Sequence, residues 1–284
     1  MLKFAIFNGN LLVFILNLLD LVEFASEMRY NHVNTIIRKR ISSMKILIVR
    51  HGEPNYEIDG LTDKGKIEAE LLSKRLAKEN ITKIYCSPLG RARLTAEPTL
   101  LKTGLTAEIL PWLQEFSYAK IKVPYLETEK ICWDVLPEFI NSLDDIYHPT
   151  KWLDESFIKN SGVPAAYEEV CDGLDALLSK HGYKRDGYNY KAIKPNHDTV
   201  VLVCHFGLTA VLLSHLLNCS PYSLWQHTFT APTSVTTLYT EERVEGIAQF
   251  RVSAVGDISH LYVADEAPSF SGRFCECFTD DTRH

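Results

Sequence analysis

Two histidines directly follow segments that have the character of buried strands. His51 follows the apolar run 46–49 and Arg50, and His205 follows the apolar run 199–204. The carboxyl ends of parallel strands in an α/β fold meet at one edge of the sheet, where ligands bind. We therefore expect both imidazoles at one site. A neutral imidazole is a good nucleophile near pH 7, because its ordinary pKa is about 6.5.

Two arginines add cationic groups to the same edge of the predicted sheet. Arg50 precedes His51, and Arg91 lies beyond a third strand-like segment, 81–86, and the turn that follows it. Guanidinium groups bind phosphoryl oxygens through two hydrogen bonds at once. Phosphoryl transfer is catalysed mainly by positioning and charge neutralisation. This set of residues therefore predicts transfer of a phosphoryl group onto His51, with Arg50 and Arg91 bound to the phosphoryl oxygens. A protonated His205 would add charge and hydrogen-bond donors.

This chemistry also needs a carboxylic acid, which protonates the leaving alkoxide and then activates water. Glu115 lies where a loop follows the strand-like segment 107–110, and it is our candidate for the proton donor. Glu53 and Glu57, which follow His51 closely, compete with it for this role.

Alternating strand and helix patterns position these residues. Beyond the first strand, the predicted elements are a helix from Thr62 to 77, a strand at 81–86, a helix at 91–101, a helix at 165–181, a strand at 199–204, a helix at 208–217 and two late strands, 235–239 and 247–255, at the sheet edge. Pro98 predicts an end or a kink in its helix. The pattern predicts an α/β fold, a three-layer α/β/α sandwich with a mostly parallel central sheet.

The predicted domain spans residues 44–260 and carries one long insertion. Segment 117–165 is irregular, aromatic and rich in proline, and we interpret it as a cap over the active face. We interpret the charged residues Lys184 and Arg185, and those of segment 191–194, as parts of a solvated loop. We expect residues 261–284 to form a C-terminal tail.

Residues 1–43 differ from the rest of the chain. The apolar stretch 11–24 is interrupted by Asn17, Asp20 and Glu23, which argues against a membrane-spanning helix. Only Lys3 precedes the stretch and no clear cleavage site follows it, so a secretory signal is not predicted either. We interpret the segment as an upstream extension of a domain that starts at Met44. The alternative is an amphipathic helix at a membrane interface.

The overall composition excludes several classes of protein. The 284 residues are 46% hydrophobic and 23% charged, as in ordinary globular chains. A net charge of −6 gives no global attraction to nucleic acid or to anionic membranes, and we predict neither as a partner. Seven cysteines without a CxxC pair predict reduced thiols in a cytoplasmic protein and no metal site.

Four ordered motifs resemble the histidine phosphatase superfamily, in its phosphoglycerate-mutase-like branch. They are Arg50-His51-Gly52-Glu53, Leu61-Thr62-Asp63-Lys64-Gly65, the stretch from Ser87-Pro88-Leu89-Gly90-Arg91-Ala92 to Thr95-Ala96, and Cys204-His205-Phe206-Gly207. The resemblance spans residues 44 to 255. It implies a phosphoglycerate-mutase-like fold, a phosphohistidine intermediate on His51, and no metal or other cofactor. It also selects Arg91 rather than Arg93 as the second phosphate arginine.

Departures from the mutase pattern favour a phosphatase. Only residues 54–60 separate the first two motifs, Glu57 stands where mutases have an asparagine, and a Trp-Asn pair is missing. We therefore expect a metal-independent phosphomonoesterase of acid-phosphatase type that hydrolyses a small phosphorylated substrate. The alternatives are a phosphoglycerate-type mutase and a non-catalytic phosphate-binding protein. The sequence leaves a homodimer open.

Overall fold

The computed structural model describes residues 43–271. Residues 1–42 and the tail beyond residue 271 lie outside the described residues. The interpretation of the N-terminal segment as an upstream extension, and the alternative of an interfacial helix, both fall on this part of the chain. Cys275 and Cys277 also lie outside the described residues. Among the helices that are described, none has the length and the apolar character needed to cross a membrane.

Twelve strands and eight α-helices make up the described part of the chain. The strands are β1 (Lys45–Arg50), β2 (Pro54–Asn55), β3 (Gly60–Leu61), β4 (Lys83–Cys86), β5 (Ala107–Ile109), β6 (Lys120–Ile121), β7 (Lys130–Ile131), β8 (Tyr183–Asp186), β9 (Asn189–Ala192), β10 (Thr199–Cys204), β11 (Val235–Val244) and β12 (Ile247–Asp257). The helices are α1 (Asp63–Leu76), α2 (Gly90–Thr103), α3 (Pro137–Ile140), α4 (Ser156–Lys159), α5 (Val163–Lys180), α6 (Phe206–Leu217), α7 (Tyr222–Trp225) and α8 (Ser259–Tyr262).

Eight of these strands form the central sheet, in the order β5-β4-β10-β1-β11-β12-β9-β8. The four strands from β5 to β1 are parallel, whereas each pairing from β1 to β8 is antiparallel. The sheet is therefore mixed, and the predicted parallel arrangement holds only for the half that carries the site. The reason is local: tight turns at Gly187 and Gly246, both with positive φ, join β8 to β9 and β11 to β12. Parallel neighbours would need a much longer crossover.

Helices cover both faces of the sheet, which confirms the three-layer α/β/α sandwich. Successive residues of β1 point to opposite faces, as the period of a strand requires. Leu47 packs in a buried cluster with Leu72 of α1, while Ile46 belongs to a second cluster with Leu174 of α5 and Leu212 of α6. Two-sided burial explains why β1 and β10 have continuous apolar sequences.

The helix limits follow their capping residues. Thr62 begins α1 as predicted, and its hydroxyl accepts the N–H of Gly65 at 3.0 Å. Helix α2 does not end at Pro98, as one reading of the sequence expected, but continues to Thr103 and closes on Gly104 in the left-handed region. Proline cannot donate the hydrogen bond to the carbonyl oxygen of Leu94, a residue on the exposed side of α2.

Two predictions outside the site are wrong. The charged segments around Lys184 and Lys191 are the β8–β9 hairpin, in which Tyr183 and Tyr190 are buried, and not a solvated loop. The Asp-Gly pair that ends at Gly187 is a hairpin signal that the sequence analysis missed. The late strand β11 lies beside β1 near the middle of the sheet, and the edges are β5 and β8.

The segment 117–165 is built from short elements around buried side chains. It contains the hairpin β6–β7, helices α3 and α4, and a 3₁₀ turn at Lys151–Asp154. Trp152 is fully buried and packs edge-on against Tyr222 and Trp225. The segment thus shares the main core. Its role as a cap, and the domain limits given above, stay predictions.

Candidate active site

The two strand-end histidines lie side by side. Strands β1 and β10 are parallel neighbours, and their register pairs Arg50 with Cys204. The next residue on each strand is therefore His51 or His205, and the two ring centroids are 5.0 Å apart. Both imidazoles are buried. The topology thus brings together the two histidines that the sequence analysis placed at one edge.

The hydrogen bonds of His51 fix which ring nitrogen carries the proton. Nδ1 lies 2.7 Å from the carbonyl oxygen of Gly52, and a carbonyl oxygen can only accept, so Nδ1 is the donor. The lone pair of the neutral ring is then on Nε2, which lies 3.4 Å from Nε of Arg91. Burial, followed by the charges of Arg50 and Arg91, holds the pKa of His51 well below its usual value. The ring is therefore neutral at pH 7.

Close backbone packing holds the loop after β1 in place. A Cβ on Gly52 would lie 2.8 Å from the carbonyl oxygen of Gly65, and one on Gly65 would lie 2.3 Å from that of Glu53. The N–H of Gly52 donates to the hydroxyl of Thr95 at 2.9 Å. The glycines of the first two motifs are thus explained by the contact that those motifs make with each other.

Arg50 is buried beneath the site. One terminal nitrogen donates to the carbonyl oxygen of Thr230 and the other to that of Ser271, at 3.3 Å. The rings of Phe206 and Phe229 lie 5.9 and 5.8 Å from the guanidinium carbon. Its Nε is buried and has no hydrogen-bond partner among the described residues. A buried donor of this kind is suited to an anionic oxygen.

Arg91 is held by a carboxylate that the sequence analysis did not single out. Its Nη1 lies 2.6 Å from Oδ1 of Asp59, and Oδ2 of Asp59 accepts the N–H of Gly90 at 2.6 Å. The ring of Tyr56 lies 5.5 Å from the guanidinium carbon. The only sequence signal for Asp59 is the Asp-Gly pair just before the second motif. Arg93 instead lines a separate cavity between α2 and β5.

Only one ring nitrogen of His205 has a hydrogen-bond partner among the described residues. Its Nε2 forms a hydrogen bond of 2.8 Å with the hydroxyl of Ser87, from the third motif. Its Nδ1 is buried and lacks a partner among residues 43–271. Burial, followed by electrostatic interactions with His51 and with the guanidinium groups of Arg91 and Arg50, holds the pKa of His205 well below its usual value. The protonated state considered from the sequence is therefore disfavoured until an anion binds.

The carboxylate of Glu115 lies against the first turn of α6, the helix that begins directly after His205. This carboxylate accepts the N–H groups of Phe116 at 2.7 Å, Leu208 at 3.0 Å and Gly207 at 3.3 Å. Burial raises the pKa of Glu115, while these three donors oppose the rise. The residue is thus a carboxyl group that retains its proton at a higher pH than an ordinary glutamate.

The other two candidate acids lie elsewhere. The carboxylate of Glu53 accepts the hydroxyl of Thr62 at 2.6 Å and so helps to begin α1. Glu57 is exposed, and its N–H donates to the side chain of Asn55. Of the three carboxylates, the structure places only Glu115 against the helix that follows His205.

Gly207 lets two side chains approach the start of α6. A Cβ at this position would lie 2.4 Å from Nε1 of Trp133 and 2.8 Å from Oε1 of Glu115. The glycine of the fourth motif therefore leaves room for the carboxylate. Across the described residues, no group of three or more His, Cys, Asp and Glu side chains is arranged to hold a metal ion.

A comparison with family models matches the part of the chain that carries the first three motifs. Residues 46–160 match the model of the histidine phosphatase superfamily (branch 1), a range that includes His51, Arg91 and Glu115. The chain is similar to this superfamily over these residues, and the match supports the resemblance seen in the first three motifs.

Particular relatives extend the similarity over most of the chain. A probable phosphatase of Schizosaccharomyces pombe is 26% identical over 232 residues, covering 77% of this chain and 95% of the relative. An adenosylcobalamin/alpha-ribazole phosphatase of Salmonella typhi is 24% identical over 194 residues, or 64% and 84% of the two chains.

Two solved structures share the fold. A phosphoserine phosphatase from Entamoeba histolytica, crystallised with phosphoserine, superposes with a TM-score of 0.50 at 18% identity, covering 77% of this chain and 99% of its own. Bacillus stearothermophilus YhfR gives a TM-score of 0.50 at 21% identity with the same coverage. The predicted phosphoglycerate-mutase-like sandwich is confirmed.

Proposed function

We propose that this protein is a phosphomonoesterase that works through a phosphohistidine on His51. The observation that carries the proposal is the state of His51: a buried, neutral imidazole whose unprotonated Nε2 faces a guanidinium group. A nucleophile of this kind needs no activating base. The superfamily and the phosphatases among the relatives support the same reaction.

We assign two buried polar atoms to the binding of the phosphoryl oxygens. Nε of Arg50 and Nδ1 of His205 are without partners among the described residues. Leaving such groups unpaired costs about 1–3 kcal/mol each, which an anionic ligand would recover. Arg91, whose Nε lies 3.4 Å from Nε2 of His51, would supply a further donor beside the phosphorus atom. The negative charge of the ligand would also raise the pKa of His205 and so favour its protonated form.

The reaction then runs in two steps. Nε2 of His51 attacks phosphorus, the bond from phosphorus to the substrate oxygen breaks, and the carboxyl group of Glu115 gives its proton to that oxygen. Water next attacks the phosphohistidine while Glu115 takes up a proton. Inorganic phosphate leaves and His51 is regenerated. No step uses a metal ion, so we predict full activity with a chelator present.

Phosphate release by the full-length chain tests this proposal. We expect the wild type to hydrolyse 4-nitrophenyl phosphate in EDTA, and His51→Ala to lose at least about 10³-fold in kcat. Replacing the exposed His148 by alanine is the matched control and should change nothing. Labelled substrate should leave acid-labile, alkali-stable phosphate on the wild-type protein only.

The alternatives give different results in the same assay. A mutase would form the labelled protein but release little phosphate to water. A non-catalytic binder would release none, and His51→Ala would retain affinity for phosphate. Equal hydrolysis by the wild type and His51→Ala would overturn the assignment of the nucleophile. The cytoplasmic location, a small phosphoester as substrate and a homodimer remain predictions.

A further inference from the structure

A cavity of about 550 Å³ is lined mainly by residues of segment 117–165. Trp133, Val135, Leu136 and Trp225 line it. Cavities of this size commonly hold small organic ligands. It is not needed to bind the phosphoryl group, because none of the four predicted phosphate-site residues lines it.

Two indoles connect this cavity to the proposed proton donor. Nε1 of Trp225 donates to the carbonyl oxygen of Gly207 at 2.9 Å, and Nε1 of Trp133 donates to that of Phe116 at 3.3 Å. Nε1 of Trp133 and Oε1 of Glu115 both lie within 3 Å of the point that a Cβ on Gly207 would occupy. One wall of the cavity is thus a close neighbour of the carboxylate.

The position of the acid decides which part of the substrate lies on this side. If Glu115 protonates the leaving oxygen, as the proposed function requires, the leaving group must extend from phosphorus towards Glu115. Trp133, which neighbours that carboxylate, belongs to the wall of the cavity. The cavity is therefore placed to receive the organic part of the substrate.

The lining determines the chemistry that fits. Indole and aliphatic side chains contribute apolar surface to the lining, and flat rings pack well against indole. The two opposite charges in the lining are paired with each other, since Nζ of Lys130 lies 3.4 Å from Oδ2 of Asp134. A charged leaving group would find no unpaired counter-ion in this ion pair.

We infer that the cavity selects phosphomonoesters whose leaving alcohol carries an uncharged, flat apolar group of one or two aromatic rings. The inference rests on the proposed function, because it uses Glu115 as the proton donor. It names a substrate class, and it assigns specificity to Trp133 and Leu136.

Substrates with matched leaving groups test the inference. 2-Naphthylmethyl phosphate and ethyl phosphate both release primary alcohols, so their comparison reports mainly on binding of the organic group. We expect kcat/KM to favour the naphthylmethyl ester by about ten-fold or more. Phosphoserine, whose leaving group is charged, should be hydrolysed no better than ethyl phosphate.

Two substitutions at one exposed wall residue locate the preference. Leu136 is 56% exposed, so its replacement should not prevent folding. Leu136→Asp places a charge on the wall and Leu136→Trp fills the space, and each should bring the ratio of the two kcat/KM values towards one. Leu101→Asp changes an exposed leucine of α2 outside the cavity and should leave the ratio and the activity unchanged.

The outcomes separate this inference from the proposed function. Absence of hydrolysis for every ester, including 4-nitrophenyl phosphate, would overturn the proposed function. Hydrolysis without a preference for the naphthylmethyl ester, or with a preference for phosphoserine, would overturn the cavity inference alone. A preference that survives both Leu136 substitutions would also overturn it.

Discussion

The two carboxylate oxygens of Asp59 bind Arg91 and the start of α2, the helix that carries Arg91. Oδ1 lies 2.6 Å from Nη1 of Arg91, and Oδ2 accepts the N–H of Gly90 at 2.6 Å. The guanidinium is thereby fixed with Nε towards His51. We therefore propose Asp59 as a positioning residue, which would act on the reaction through Arg91.

Asp59→Asn should weaken binding of the phosphoryl group. Without the ion pair, Arg91 loses its fixed orientation, and we expect KM and the inhibition constant of inorganic phosphate to rise together by about ten-fold. Steady-state kinetics with phosphate as a competitive inhibitor measure both constants. Asp63→Asn, which removes an exposed ion pair with Lys66, is the control. An unchanged inhibition constant would show that Asp59 has only a structural role.

Gly207→Ala should displace the proposed acid without unfolding the protein. The new Cβ would come within 3 Å of Nε1 of Trp133 and Oε1 of Glu115, so one or both must move. We expect kcat to fall by about 10²-fold and the tryptophan fluorescence to change. Gly162→Ala, where nothing lies within 4 Å of the new atom, should behave as the wild type. A Gly207→Ala enzyme within two-fold of normal activity would contradict the placement of the acid.

The pH dependence of kcat/KM should depend on the leaving group. Glu115 must be protonated, and burial raises its pKa, so activity on ethyl phosphate should fall as the pH rises through that raised pKa. The low pKa of His51 places the acid limb well under pH 6.5. Glu115→Gln should abolish the alkaline limb and cost about 10²–10⁴-fold with ethyl phosphate.

4-Nitrophenyl phosphate serves as the control for that experiment. Its leaving phenolate needs no proton, so the loss caused by Glu115→Gln should be much smaller than with ethyl phosphate. Equal losses with both esters would mean that Glu115 is not the proton donor.

Stability should fall when the pH is lowered from 7.5 to 5.5. His51, His205 and His260 are buried with lowered pKa values, that of His260 to about 4. Below about pH 6.5 the unfolded chain binds protons that the folded chain does not, so the free energy of unfolding decreases. Each group contributes at most about 1.4 kcal/mol per pH unit, down to its folded pKa.

Urea denaturation at the two pH values measures this effect. His260→Gln retains a group that can bond to Thr233 but does not titrate, and it should reduce the pH dependence of the free energy of unfolding. His148→Gln, at an exposed position, should not. If His260→Gln left the pH dependence of the free energy of unfolding unchanged, the burial of His260 would not be a cause of that dependence.

The parts of the site that could be predicted from sequence are those set by strand periodicity and by motif. The apolar runs before His51 and His205 fix two parallel neighbours, and their register brings the rings together. Asp59 was missed because a carboxylate 32 positions before its arginine carries no local signal. The antiparallel half of the sheet was missed because its pairing depends on turns, such as that at Gly187, whose signal is one dipeptide.

The position of β1 between β10 and β11 determines when the protein can fold. The N–H of Met44 bonds to the hydroxyl of Thr240, 196 positions later, and the N–H of Arg50 bonds to the carbonyl oxygen of Ser234. During synthesis the central strand therefore lacks both neighbours until nearly the whole domain has left the ribosome. A nascent chain that ends near residue 160 has β1 with two open edges, which makes such fragments prone to aggregate.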